Sequence, residues 1–253
     1  MGMNQFGDLT AEEFADLLQP FPKMDRPKPS LKTKNVQYNG HIPGRKDWRE
    51  KGAVTQVKTQ GKCGGSWAFG AAAAIESAHF IKSGELVTMS EQVLLDCVEE
   101  CKGCKSGWTD KAMEYVRKHG ITTEMNYPYE GKDDDCKING TETGMKIKNY
   151  VFIKEDDEED LRQAVARQPV AVTVDSRGFQ LYKSGIFDNS CIEDVNIDHS
   201  LLVVGYDLDH HFEMDYWILK NSWGKSWGMD GYMKFKRNHN VCGIASYAVY
   251  PVL

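Results

Sequence analysis

A chain of 253 residues with 41% hydrophobic and 27% charged residues can bury one large core or two modest ones, which excludes extended disorder. Its formal charge of -6, with Lys and Arg scattered and not striped, leaves no basic footprint, so no nucleic-acid partner is expected. No uninterrupted apolar stretch approaches the roughly 20 residues that span a bilayer, so no membrane partner is expected either.

Met1 is followed by Gly-Met-Asn-Gln and not by a charged region with an apolar run, so the start reads as a processed end and not as a secretory signal. Residues 1–41 read as a segment of their own. Thr10-Ala-Glu-Glu13 predicts a helix start, because the Thr hydroxyl can cap the Glu13 amide while the Glu13 carboxylate reaches back. Pro20 should end that helix, and a polar, proline-bearing stretch follows to Asn39. From Ile42 to about Gly140 the periodicity is helical. Ser66 to Ser83 is apolar on nearly all sides and stops at Gly84, so it predicts a buried helix. Ser90-Glu91-Gln92 opens a second helix, and Thr109-Asp110 opens a third that closes at Gly120. A last helix starts in the acidic run Glu155 to Asp160 and ends before Pro169. Short strands rich in β-branched and aromatic residues then dominate: Val170 to Val174, Ser200 to Val204, Tyr216 to Leu219 and Tyr232 to Phe235. The expectation is an α+β chain, with a helical lobe over about 50–150, a β lobe over about 151–253, and a cleft between them.

Three short stretches carry candidate chemistry. Gln60-Gly-Lys-Cys-Gly-Gly-Ser66-Trp67 leads into the buried helix, so a reactive atom at residue 66 would face unpaired amides and the positive end of the macrodipole. Asp198-His199 stands where a strand begins, and Asn221-Ser-Trp223-Gly224 follows another strand. Taken singly, each of these residues has an ordinary structural use, since turns favour Asn and cores favour Trp. Their joint order and spacing is what points to a site. Seven cysteines are dispersed in a way that suits long-range disulfides better than a metal knuckle. Cys101-Lys-Gly-Cys104 lacks a second such pair or a nearby His pair, so no metal is expected.

At these residues the chain resembles the papain and cathepsin L family of cysteine peptidases. Cys63-Gly-Gly-Ser66-Trp67 follows the pattern C-G-[SA]-C-[WY] apart from Gly65 and Ser66, with His199 and Asn221 placed roughly 130 to 150 residues later. Ile42-Pro43 through Asp47-Trp48, Ser90-Glu91-Gln92 through Asp96-Cys97, Tyr127-Pro128-Tyr129 and Tyr250-Pro251 extend the resemblance over essentially the whole chain. It implies a papain-like two-lobe fold, with a helical lobe and an antiparallel, barrel-like β lobe. By the same resemblance His199 is the general base and acid, Asn221 orients its ring, and Trp223 shields that hydrogen bond. Gln60 and the residue 66 amide would form the oxyanion hole.

Ser66 occupies the nucleophile position, where the family carries cysteine. A hydroxyl is far less acidic than a thiol, so little or no peptidase activity is expected. The leading expectation is that serine was put in place deliberately to hold an unprocessed endopeptidase. The rival is a natural non-catalytic homologue that binds peptides in its cleft.

The resemblance also pairs Cys63 with Cys104, Cys97 with Cys136 and Cys191 with Cys242, leaving Cys101 free. It assigns substrate contacts to Gly65, Ser106, Gly107, Trp108, Thr109, Thr173, Ile197, Asp198, Trp223 and Tyr247. Tyr247 at the floor of the main pocket should make it shallow and favour Leu or Val over Phe or Arg. Ser106 departs from the family's usual pair of glycines. Gly2, Asn4, Phe6 and Asp8 match the G-x-N-x-F-x-D motif of the family's propeptides, so 1–41 is read as the end of an inhibitory propeptide lying in the cleft, with Asp8 as an acid-sensitive latch. Polypeptide substrates, cystatin-type protein inhibitors, a monomeric state and a lysosomal or secreted location are implied, and no cofactor. Asn139-Gly-Thr141 is an N-glycosylation acceptor sequence that suits such a location. The acidic run reads as a solvated helix start and not a calcium loop, and His210-His211 as a solvated turn.

Overall fold

A computed structural model of the chain describes residues 2, 4–18, 40–138, 144–188, 191 and 195–253. Pro20 to Asn39 and the Asn139-Gly-Thr141 sequon lie outside the described residues. In chain order the elements are α1 (Ala11–Leu17), β1 (Lys46–Asp47), α2 (Ser66–Ser83), α3 (Glu91–Cys97), α4 (Thr109–Lys118), β2 (Asn149–Phe152) and α5 (Glu158–Arg167). They continue with β3 (Val170–Val174), β4 (Ile186–Phe187), β5 (His199–Asp209), β6 (Met214–Lys220), β7 (Tyr232–Lys236) and β8 (Ala248–Val252).

The helix starts follow local chemistry. Thr10 and Glu13 form the reciprocal capping box on α1. The Ser90 hydroxyl accepts from the Val93 amide at the head of α3, and Asp157 accepts from the Glu159 and Asp160 amides at the head of α5. The acidic run is therefore a helix start. α2 ends where Gly84 takes φ 81°, a left-handed conformation that costs glycine nothing.

The strands form one sheet in the order β2-β8-β3-β5-β6-β7-β4, with β1 paired to β5. Every pairing between these strands is antiparallel except that of the two-residue β4 with β7. β5 and β6 run well beyond their predicted cores, because each continues to pair after its hydrophobic alternation has ended. The two terminal strands of the described path at one end, β2 and β8, are absent from the sequence reading: Pro251 disguises β8, and its carbonyl accepts from the Gln168 side chain at 2.9 Å.

Two large hydrophobic clusters fill the molecule. One lies among α2, α3, α4 and the sheet face they cover, around Trp67, Ile75, Leu94 and Met113. The other lies among α5, β3, β5, β6, β7 and the N-terminal segment, around Trp217, Trp227, Phe179 and Phe14. α2 is the element common to the helices and the sheet. A Cβ on Gly70 would stand 3.2 Å from the Ser200 Cβ, so this glycine lets α2 lie directly on β5. That close approach sets the N-terminus of α2 against the start of β5.

Disulfides join Cys63 to Cys104, Cys97 to Cys136 and Cys191 to Cys242, the pairing that the resemblance implied. Cys101 is free and half-buried. Its sulfur accepts from the Trp108 amide at 3.4 Å, and burial pushes the thiol up to about 12, which leaves it unreactive.

Candidate active site

Ser66 is the first residue of α2, and its buried Oγ accepts from the Ser200 amide at 3.2 Å. His199 opens β5 and is 2% exposed. Its Nε2 lies 2.7 Å from Asn221 Oδ1, which also accepts from the Ser222 amide at 2.7 Å. Asn221 follows β6 directly, and its amide donates to the Gly231 carbonyl at 3.0 Å, which fixes the side chain's origin. The Trp223 ring lies over the imidazole, 4.5 Å between centroids. Burial drives the His199 pKa down to about 4, although the Asn221 hydrogen bond works in the opposite direction. Residues 66, 199 and 221 thus converge from three elements at the junction of the helices and the sheet.

Gln60 is held on several sides. Its amide donates to the Ser222 carbonyl at 2.8 Å, its carbonyl accepts from the Tyr129 hydroxyl at 2.8 Å, and its Oε1 accepts from the Ser222 hydroxyl at 2.6 Å. Nε2 then donates to the Cys63 carbonyl at 2.9 Å, inside the loop that leads to Ser66. Its side-chain amide is oriented before any ligand arrives, which is the condition for a preorganised donor.

The residues expected to contact substrate occupy distinct surroundings. Trp108 and Tyr247 meet ring to ring at 4.8 Å, and both share a core cluster with Ile197. The Thr173 amide donates to the Tyr247 carbonyl at 2.9 Å. Thr109 and Thr173 are both hydrogen-bonded through Oγ1 to the Ser200 hydroxyl, at 3.3 and 3.2 Å. Ser200 is the member that sequence reasoning missed; its place directly after His199 was the available signal. Ser106 is buried with its carbonyl accepting from Lys102, while a Cβ on Gly107 would fall 2.4 Å from the Trp67 ring. A Cβ on Gly65 would meet Leu95 at 2.9 Å. The Asp198 carboxylate is engaged by the Ser176 amide and hydroxyl, both at 2.8 Å, and burial raises it to about 7.

The N-terminal segment lies on the same face. Gln5 donates to the Trp223 carbonyl at 2.6 Å and accepts from the Ser226 hydroxyl. Phe6 and Phe14 set their edges against Trp223 at 5.3 and 5.7 Å, on the ring that covers His199. Gln180 donates to the Phe6 and Leu9 carbonyls and accepts from Asn4. Asp8 is exposed and makes no side-chain hydrogen bond or ion pair with a described residue. His210 and His211 sit exposed at the turn between β5 and β6, and no cluster of metal-binding side chains occurs among the described residues.

The fold and this convergence define the architecture of a papain-like peptidase. The profile described as papain family cysteine protease matches residues 42–252. The cathepsin L-like peptidase of Aedes aegypti is 42% identical over 99% of this chain and 78% of its own length. The P34 probable thiol protease of Glycine max is 41% identical over 99% of this chain and 70% of its own. The digestive procathepsin L 3 of Tenebrio molitor larval midgut superposes with a TM-score of 0.89 at 38% identity, covering 100% of this chain and 82% of that one. This chain belongs to the papain family of cysteine proteases. Among its described residues no helix is long and apolar enough to cross a membrane.

Proposed function

We propose that the chain is the proform of a cathepsin L-like endopeptidase, with residues 1–41 the end of an inhibitory propeptide and 42–253 the peptidase domain, silenced at Ser66. The observation that carries this is the His199–Asn221 hydrogen bond of 2.7 Å beneath Trp223, with the next residue's amide, Ser200, bonded to Ser66 in the first turn of α2. His199 is the general base and acid, Asn221 and Trp223 orient and shield it, and the Gln60 amide with the residue 66 amide receives the oxyanion. A thiol, with an ordinary pKa of about 8.5, can be ionised beside an imidazole at a helix N-terminus. A serine hydroxyl, far less acidic than a thiol, cannot be held as a standing anion there.

The substrates are polypeptides, with the side chain two residues before the cut received near Trp108, Thr109, Thr173, Ile197 and Tyr247. Gly65, Ser106 and Gly107 supply the neighbouring backbone edge; the Asp198 side chain acts through the Ser176 turn. Cystatin-type proteins fit the same cleft once the segment has left. A monomer in a secreted or lysosomal location follows from the family.

A second reading is a natural homologue that binds peptides without cutting them. It is favoured by the Ser66 hydroxyl, which is bonded to the Ser200 amide and not to His199. The Ser66→Cys form, freed of its segment, is expected to hydrolyse a fluorogenic peptide with Leu before the last residue, in a thiol-reagent-sensitive way, while the Ser form does not. No turnover by Ser66→Cys supports the binding reading, and thiol-resistant turnover by the Ser form overturns both.

A further inference from the structure

Beside Tyr247, where the endopeptidase reading puts the floor of the main pocket, lies a charged group that the chemistry does not use. Asp110, in the first turn of α4, is 4% exposed and forms no ion pair with any described residue. Burying a carboxylate without a cation is costly unless hydrogen bonds compensate. Its Oδ1 accepts from the hydroxyl of Tyr247 at 2.5 Å.

Tyr247 comes from the other side of the junction, one residue before β8, and its backbone carbonyl is held by the Thr173 amide of β3. Its ring is flanked by Trp108 at 4.8 Å and by Phe152 at 5.5 Å. The side chain is therefore a bar fixed at both ends, rooted in the sheet and tied at its tip to a helix. Without Asp110 the buried hydroxyl would have no acceptor there, and the ring would be free to turn toward water.

We infer that Asp110 is a specificity-positioning residue, which holds Tyr247 across the pocket floor and so selects small branched aliphatic side chains over phenylalanine or arginine two residues before the cut. This rests on the endopeptidase reading above. Asp110 touches no reacting atom; it acts through Tyr247. The hydrogen bond, and not the charge, does the holding.

The test uses the Ser66→Cys form of the full chain, processed to release its segment, and peptides that differ only in Val, Leu, Phe or Arg at that position. The parent is expected to favour Val and Leu over Phe by tenfold or more in kcat/KM, within the range of about 10 to 200-fold that pocket fit can supply. Tyr247→Phe removes one oxygen and keeps the ring but leaves the buried Asp110 carboxylate without its donor, so its folding is verified by circular dichroism and a urea midpoint before the kinetics. It and Asp110→Ala should each raise the Phe/Val ratio about tenfold, through KM and not kcat. Asp110→Asn retains an acceptor oxygen and should restore the parent ratio. A Phe/Val ratio within twofold of the parent in Tyr247→Phe overturns the inference, as does an Asp110→Asn ratio that moves as far as Asp110→Ala. A Ser66→Cys form that cuts none of the peptides overturns the endopeptidase reading itself, and this inference with it.

Discussion

Gln60 and His199 show how much of a site's behaviour is set before substrate binds. The Gln60 side chain is oriented by Ser222 and Cys63, so its removal takes away a donor that needs no reorganisation. In the Ser66→Cys background, Gln60→Ala should lower kcat about 10² to 10³-fold with little change in KM, the signature of a donor used in the transition state. Steady-state kinetics on one peptide check this. His199 carries the pH response. Burial beneath Trp223 brings its pKa to about 4, against 6.5 for an ordinary imidazole, and the segment's Phe6 and Phe14 pack on that same Trp223 ring. On the premise that loss of the segment returns His199 to an ordinary imidazole, the ring is neutral in both forms above about pH 6.5 and its protonation then costs the closed form nothing. As the pH falls toward 4, the open form takes up a proton that the closed form refuses, so the closed form loses stability. Segment dissociation, followed after a nick near residue 41, should therefore increase between pH 7 and 4.5. His199→Gln should flatten that profile and Asp8→Asn should leave it unchanged; a profile that survives His199→Gln puts the sensor elsewhere.

Among the elements, α3 depends most on a single polar side chain. Ser90 accepts from the Val93 amide at 3.1 Å, and its hydroxyl also donates to the Tyr127 carbonyl at 2.6 Å. The helix has only seven residues, too few to be stable outside its packing. Ser90→Ala removes a cap and leaves a buried carbonyl without its donor, so a loss of about 1 to 2 kcal/mol is expected from the urea midpoint. The helix starts were legible because capping and first-turn charge are local in sequence. β2 and β8 were not, because each is defined by a distant partner: Asn149 to Phe152 gains its conformation from Ala248 to Val252, about a hundred residues away.

At the scale of the whole molecule, a buried ionic chain ties the sheet to the helices behind the site. Lys220, the residue before Asn221, donates to the Thr55 hydroxyl at 2.8 Å, and Thr55 donates to Glu76 on α2 at 2.5 Å. Lys58 then bridges Glu76 at 3.0 Å and Glu91 on α3 at 2.5 Å. Burial raises Glu91 to about 7 and lowers Lys220 to about 8. Lys58→Met would leave two buried carboxylates without their cation, a loss of about 3 to 5 kcal/mol. Because a protonated Glu91 no longer needs the cation, the loss should be greatest near pH 8 and smaller near pH 5. Urea midpoints of Lys58→Met and parent at the two pH values test this, and an equal loss at both would place the interaction's worth in packing.

Residue order alone carried the family, the α+β class and the helix starts, and it singled out Gln60, Ser66, His199 and Asn221 as candidates, because motif spacing and capping are properties of the chain read in one dimension. It did not contain Ser200 as the common partner of Ser66, Thr109 and Thr173, nor the Asp110–Tyr247 hydrogen bond. Those matters depend on how closely α2 lies on β5 and which side chains the junction encloses. Burial and hydrogen bonding between distant residues arise only once the helices have closed on the sheet.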